Sequence, residues 1–309
     1  MRYGISWALD SSQYSEPEEM YRAITEDINT ADIGALHSVW IEESRETAIA
    51  VSSPSMFLTH MAPITDNVLL GVKNRKLTQS HPVRLAEEFA VLDVFSRGRA
   101  SMAFEAASKQ KIPAQRLHET IEFMRAAWSR DNMRFNGDYI KFPASIPEDA
   151  DEGLSTQALE EDFVPQWHRD NALEDFVAIR PKPYQIRPVI HVSIEDDATL
   201  EWAAAHGISP ILYADMATEA VVQRVQQYST ALEKAGRSLC EVEIAIERDI
   251  HINGAASECT LGGDIESLMT QIRQLGDSTQ MSHLIWRRRT TGGSDLAEFV
   301  NGIMLGIQA

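Results

Sequence analysis

Residues 67–104 read NVLLGVKNRKLTQSHPVRLAEEFAVLDVFSRGRASMAF, and they hold one whole strand–helix–strand unit. Asn67 to Val72 is a short apolar run, and Arg99 to Phe104 is another. Between them Pro82 suits a first helical position, where its missing N–H costs nothing. Val83, Ala86, Phe89, Ala90 and Leu92 form a buried stripe, and Ser96-Arg97-Gly98 stops the helix. Neighbouring strands joined through a helix run parallel.

The same alternation extends both ways. Upstream, Tyr3 to Leu9 and Leu36 to Ile41 read as strands. A helix after Pro17 carries Met20, Ile24 and Ile28 four apart, and a small-residue helix covers Ser55 to Met61. Downstream, Pro188 to Ile194, Ser209 to Tyr213, Glu241 to Ile252 and His283 to Arg287 are strands. Helices are expected at Arg116 to Trp128, Ala198 to His206, Thr218 to Lys234, Asp264 to Leu275 and Ser294 to Ile307. Eight strands with helices between them predict an α/β protein, a (β/α)8 TIM barrel spanning residues 1–309 as a single domain. An open doubly wound sheet is the competing architecture, but no GxGxxG follows the first strand.

Residues 143–178 break the pattern. They form an acidic insertion between the fourth helix and the fifth strand, either a lid or a solvated excursion. The whole chain has a formal net charge of −18, a field that repels phosphate backbones and anionic lipid. Nucleic acid and membranes are therefore excluded as expected partners. Cys240 and Cys259 show no metal-ligand or redox spacing, and no other pattern predicts a metal. No apolar run approaches the ~20 residues that cross a bilayer, and the N-terminus shows no leader-like apolar stretch. The sequence reads as a reduced, cytoplasmic protein.

LLGVKNRKLTQSHPVRLAEEFAVLDVFSRGR, from Leu69 to Arg99, resembles the signature region of the bacterial luciferase-like flavin monooxygenases. The HPVRLAEE core, a Leu-Asp pair and Ser-x-Gly-Arg follow in the family's order. VIHVSIEDDATLEWAAAHGIS, Val189 to Ser209, resembles the family's fifth barrel unit, and Ser38-Val39-Trp40 with Glu42 and Glu43 resembles the end of its second strand. The resemblance implies a (β/α)8 barrel with reduced FMN at the C-terminal mouth. It implies a flavin C4a-peroxide that oxygenates a small organic substrate, and a flavin reductase as partner. Deazaflavin F420 is a less favoured cofactor. A homodimer, or a heterodimer with a luciferase-like paralogue, is expected.

Position by position, the resemblance assigns Glu43 to the barrel mouth as a catalytic carboxylate. Ser44 stands where luciferase's catalytic subunit has a histidine, and serine alone is no general base near neutral pH. Lys73-Asn74 falls where members carry a non-prolyl cis peptide beside the flavin ring. Glu105-Ala106 replaces the family's Gly-x-Gly-Arg or Cys-Arg, so the phosphate arginine is missing. Glu195 matches a phosphate-site glutamate, while Asp196 replaces its serine neighbour with a charge that repels phosphate. Arg287 and Arg289, in the triplet Arg287-Arg288-Arg289, are candidate replacements, since loops after late barrel strands often bind phosphate. His191 and Ser193 share one strand face, possible substrate and cofactor contacts at the lumen. Trp7 and Trp286, on adjoining first and last strands, are candidate walls of the flavin pocket. The competing function is a non-catalytic subunit, similar to the luciferase beta subunit, that stabilises a catalytic paralogue.

Overall fold

Eight parallel strands close on themselves. They are β1 (Arg2–Trp7), β2 (Ser38–Glu42), β3 (Leu69–Arg75), β4 (Ala100–Phe104), β5 (Ile190–Ser193), β6 (Ser209–Leu212), β7 (Ala245–Ile252) and β8 (His283–Arg288). Neighbours run β7-β8-β1-β2-β3-β4-β5-β6, and β6 pairs back onto β7 through Ile211↔Ala245 and Leu212↔Ile246. This computed structural model describes residues 1–9, 14–43, 51–142, 178–292, 295–304 and 306. Ser44 and all but the last residue of the acidic segment 143–178 lie outside them.

The helices are α1 (Pro17–Ile33), α2 (Pro54–Met61), α3 (Pro82–Phe95), α4 (Ala114–Ser129), α5 (Asp197–His206), α6 (Thr218–Lys234) and α7 (Ile265–Thr279). A last helix starts as Asp295–Glu298 and widens to a π-helical turn over Phe299–Met304. Besides a small antiparallel hairpin of Phe135–Asn136 with Lys141–Phe142, one strand of the main sheet was not legible in the sequence. Thr260–Gly263 pairs parallel to the upper end of β7, where that strand runs past its barrel neighbours. The segment after the seventh strand is thus partly sheet and not only loop.

The motif that decides the fold works at the base of the barrel. Gly98 sits at φ +87°, which turns the chain from α3 into β4. The Arg99 guanidinium then grips the carbonyls of Ala62, Thr65 and Val68 at 2.8–2.9 Å. Buried Asp93 accepts from the backbone N–H of Gln185 at 2.8 Å and of Ala100 at 3.3 Å. On α1, Asp32 accepts from the N–H groups of Asp66, Asn67 and Val68 at 2.7–3.0 Å. These contacts satisfy backbone groups that a tight turn would otherwise bury unpaired.

His118 on α4 stacks flat on Trp202 of α5, ring centroids 4.2 Å apart, with Nε2 3.3 Å from the Thr199 hydroxyl. Burial pushes its pKa down to about 4. An unfolded histidine titrates near 6.5, so the unfolded chain takes this proton first as pH falls. The stability held above about pH 6.5 is therefore lost down to about pH 4, by up to about 3 kcal/mol. We expect the melting temperature of His118→Phe to fall less between pH 7 and pH 4.5 than that of the wild type. Parallel falls would show that His118 contributes nothing to acid sensitivity.

Candidate active site

Strand alternation sends one set of side chains into the lumen and the other against the helices. A separate apolar cluster of Trp40, Ala103, Ile211, Tyr213, Ala245 and Ile285 fills the lumen's middle. Above it, at the C-terminal mouth, stand Ser6, Lys73, Ser193, Glu247 and Arg287, all buried. Below it lie Ser38, His191, Glu243 and His283.

The mouth is filled by its own charges. Lys73 Nζ lies 2.5 Å from Glu247 Oε1 and 3.4 Å from Glu42 Oε2. Ser6 donates to the same Glu247 oxygen at 2.5 Å, and the Ala214 N–H reaches Oε2 at 3.4 Å. Burial alone would depress the Lys73 pKa, but Glu247 and Glu42 hold it above its ordinary value. The ammonium therefore stays charged. Tyr213 lies between two cations, with Lys73 and Lys109 each 5.9 Å from its ring centroid. Burial, then Glu247, raises its phenol well above the usual range, so it stays neutral. Burial raises Glu105 as well.

The other cations of the rim are also engaged. Lys109 pairs with Glu195 at 2.7 Å, and Ser193 donates to the same carboxylate at 3.3 Å. Arg287 forks onto Asp249 at 2.7 and 2.8 Å and reaches Asp215 at 2.7 Å. Burial works against the charge on Asp249, but Arg287 outweighs it and holds the carboxyl low. Arg289 is 3.4 Å from Asp249. Arg75 lies 3.3 Å from Glu43 and 2.7 Å from Glu88 on α3.

Several expected site residues stand elsewhere. Trp7 faces the helix layer and donates from its ring N–H to Asp27 of α1 at 3.2 Å, so it does not wall the lumen. Trp286 also points outward, against Phe299, ring centroids 4.9 Å apart. Arg288 is turned the same way, onto Asp27 and Asp295 at 2.9 Å each. Parity explains all three, because odd and even positions of a strand face opposite sides. His191 does enter the lumen, but at its lower end. It is 1% exposed, edge-on to Trp40 at 5.4 Å and 3.3 Å from Glu243. That puts the indole between it and the mouth. Glu43 is buried at the β2 exit beside Arg75, on the opposite strand face from Glu42. Lys73, Asn74, Glu105, Ser193, Glu195, Arg287 and Arg289 do gather at or near the mouth. The Lys73–Asn74 peptide is trans. The chain leaves β3 through a bulge, with a register shift between Val72 and Arg75 and Asn74 at φ +55°.

Sequence reasoning quoted Glu42 without giving it a role and missed Glu247, Asp249, Asp215 and Lys109. Two of them carried a signal. In β7, AIERDIHI, Glu247 and Asp249 sit two apart, the spacing that puts both on one strand face, here the lumen.

A flavin mononucleotide needs a flat slot for its ring and donors for its phosphate. At the exits of β4 and β5 stand Glu105, buried Ala106, Glu195 and Asp196, and the cations beside them are already engaged, Lys109 with Glu195 and Arg224 with Asp197. Asp196 Oδ1 caps α5 by accepting the Thr199 N–H at 2.8 Å, so a carboxylate already takes that first-turn amide. The ring's side of the lumen holds the Lys73–Glu247 pair. Among the described residues, neither half of the site fits the flavin.

A family model described as luciferase-like monooxygenase matches residues 1–261. The chain is similar to the oxygenase component of a flavin-dependent trigonelline monooxygenase of Acinetobacter baylyi, 24% identical over 212 residues, or 63% of this chain and 56% of the relative. It is equally similar to an alkanal monooxygenase beta chain of Photorhabdus laumondii, 24% identical over 196 residues, or 62% of this chain and 53% of the relative. The match thus spans about half the length of these curated relatives. In fold it resembles the monooxygenase RslO1 of Streptomyces bottropensis, with a TM-score of 0.74 at 18% identity, covering 100% of this chain and 98% of that one.

Proposed function

The chain belongs to the luciferase-like monooxygenase family, and we propose that it is a companion subunit, a barrel that pairs with a flavin-binding relative and does not itself hold the flavin. The observation that carries this reading is the buried Lys73–Glu247 ion pair closed across the lumen mouth at 2.5 Å. Opening it would leave a lysine and a glutamate unpaired in the lumen, at a cost of several kcal/mol. Asp196, capping α5, supports the same reading. So does similarity to alkanal monooxygenase beta chains, by name single chains of a larger enzyme. Exposed Ile33, Met56, Val94 and Phe95 on α1, α2 and α3 offer apolar surface of the kind a partner barrel covers.

A second reading keeps the chain as a monooxygenase. It would take reduced FMN from a reductase and act on a small organic substrate. The similarity to an oxygenase component favours it. Family membership does not choose between the two, because function lives in the site and not in the fold.

The deciding experiment is an anaerobic titration of the purified chain with photoreduced FMN. We expect no saturable binding at roughly 0.1 mM flavin. Mixed with a luciferase-like paralogue that keeps the phosphate arginine, the chain should sediment as a 1:1 complex. Tight binding of reduced flavin by the chain alone, with a transient absorbing species on mixing with oxygenated buffer, would establish the second reading.

A further inference from the structure

We propose that the base of the barrel is a divalent transition-metal site built from His37, Glu243 and His283, with a donor set suited to Zn2+ or Co2+. One ligand atom from each of the three lies within 4.8 Å of the others. His283 Nδ1 is 2.8 Å from Glu243 Oε1, and its Nε2 is held by the Ser38 hydroxyl at 2.8 Å. That second bond fixes the ring, as outer partners of metal-bound histidines do. The Nε2 atom of His37 is buried and makes no hydrogen bond. A buried imidazole nitrogen in that state costs free energy unless something takes its lone pair or proton.

A second observation points to the same place. His191 is 1% exposed and its Nε2 also lacks a hydrogen-bond partner, yet it lies 3.3 Å from Glu243 Oε1. Three imidazoles thus surround one carboxylate, and His191 stands as the fourth candidate ligand. Two histidines and a carboxylate with a further position suit Zn2+ or Co2+ better than Mg2+ or Ca2+, which take oxygen ligands. Arg2 occupies the other oxygen of Glu243, leaving Oε1 turned to the histidines. His37 is only partly buried, so the cluster has a route to solvent. The residues come from the starts of β2, β7 and β8 and from β5, so a bound ion would tie the strands at the end opposite the mouth. The inference is independent of whether flavin binds.

The test is a Co2+ titration of the full chain near neutral pH, followed by its visible absorption, with melting curves in Zn2+. We expect one equivalent bound with the intense bands of tetrahedral cobalt, and a higher melting temperature. His37→Gln should weaken binding at least about tenfold while its metal-free melt stays near that of the wild type, since His37 Nε2 bonds nothing. Absence of tetrahedral bands overturns the proposal. So does equal binding by His37→Gln, which would place the cobalt on surface histidines.

Discussion

Lys73→Ala is expected to destabilise the barrel by about 3–5 kcal/mol, because it strands a buried carboxylate. Glu247 is 1% exposed, and Lys73 and Ser6 both reach its Oε1 at 2.5 Å. Without the ammonium, the carboxyl must keep an uncompensated charge in the lumen or bind a proton. The double variant Lys73→Met with Glu247→Leu removes both charges at similar volume. It should recover most of the loss, since a buried ion pair often gives little net stability over apolar packing. Denaturant unfolding of the wild type, Lys73→Met, Glu247→Leu and the double variant closes the cycle. A single-variant loss under about 1 kcal/mol would mean the pair is wet, since solvated pairs contribute no more than that. The closed mouth on which the companion-subunit reading rests would then be wrong.

The second large effect is steric. Gly71→Ala is expected to cost about 3 kcal/mol, near the upper end for overpacking a core. A Cβ at residue 71 would lie 2.2 Å from Cε3 and 2.4 Å from Cδ2 of Trp40. The indole has little freedom to yield. Its N–H is bonded to the Ser38 hydroxyl at 2.8 Å, and its face meets the His191 ring edge-on at 5.4 Å. Pairing Gly71→Ala with Trp40→Leu should restore part of the lost stability, because the smaller side chain vacates the space. Thermal melts of the three variants decide it. A tolerated Gly71→Ala would show that Trp40 does not lie across the lumen.

The fold was legible because a barrel states itself in alternation. Each expected strand overlaps an observed one, and Pro82 and Gly98 punctuate α3 as their backbone chemistry requires. The site was only half legible. Which residues approach the mouth follows from strand ends, and Lys73, Glu195 and Arg287 are there. What each side chain does depends on neighbours far away in sequence. Glu247 meets Lys73 across 174 residues, and Arg287 meets Asp215 across 72. No local pattern encodes such a pairing. Parity, by contrast, could have separated Trp7 and Arg288 from Ser6 and Arg287, since adjacent strand residues face opposite ways. The Ser-x-Gly-Arg motif carried the family likeness yet serves the base of the barrel, where it fastens the turn before β3.

The pairing of β1 with β8 closes the barrel between strands far apart in sequence, in register from Arg2↔His283 to Trp7↔Arg288. During synthesis β1 must wait for β8, the eighth barrel strand, before its second edge is covered. Until then β1 and β7 each present a row of unpaired backbone N–H and C=O groups, and β1, with Tyr3, Ile5 and Trp7, is apolar enough to join another sheet. The vulnerable species for this protein is therefore the unclosed sheet, where slow non-local pairing and self-association compete for the same edges.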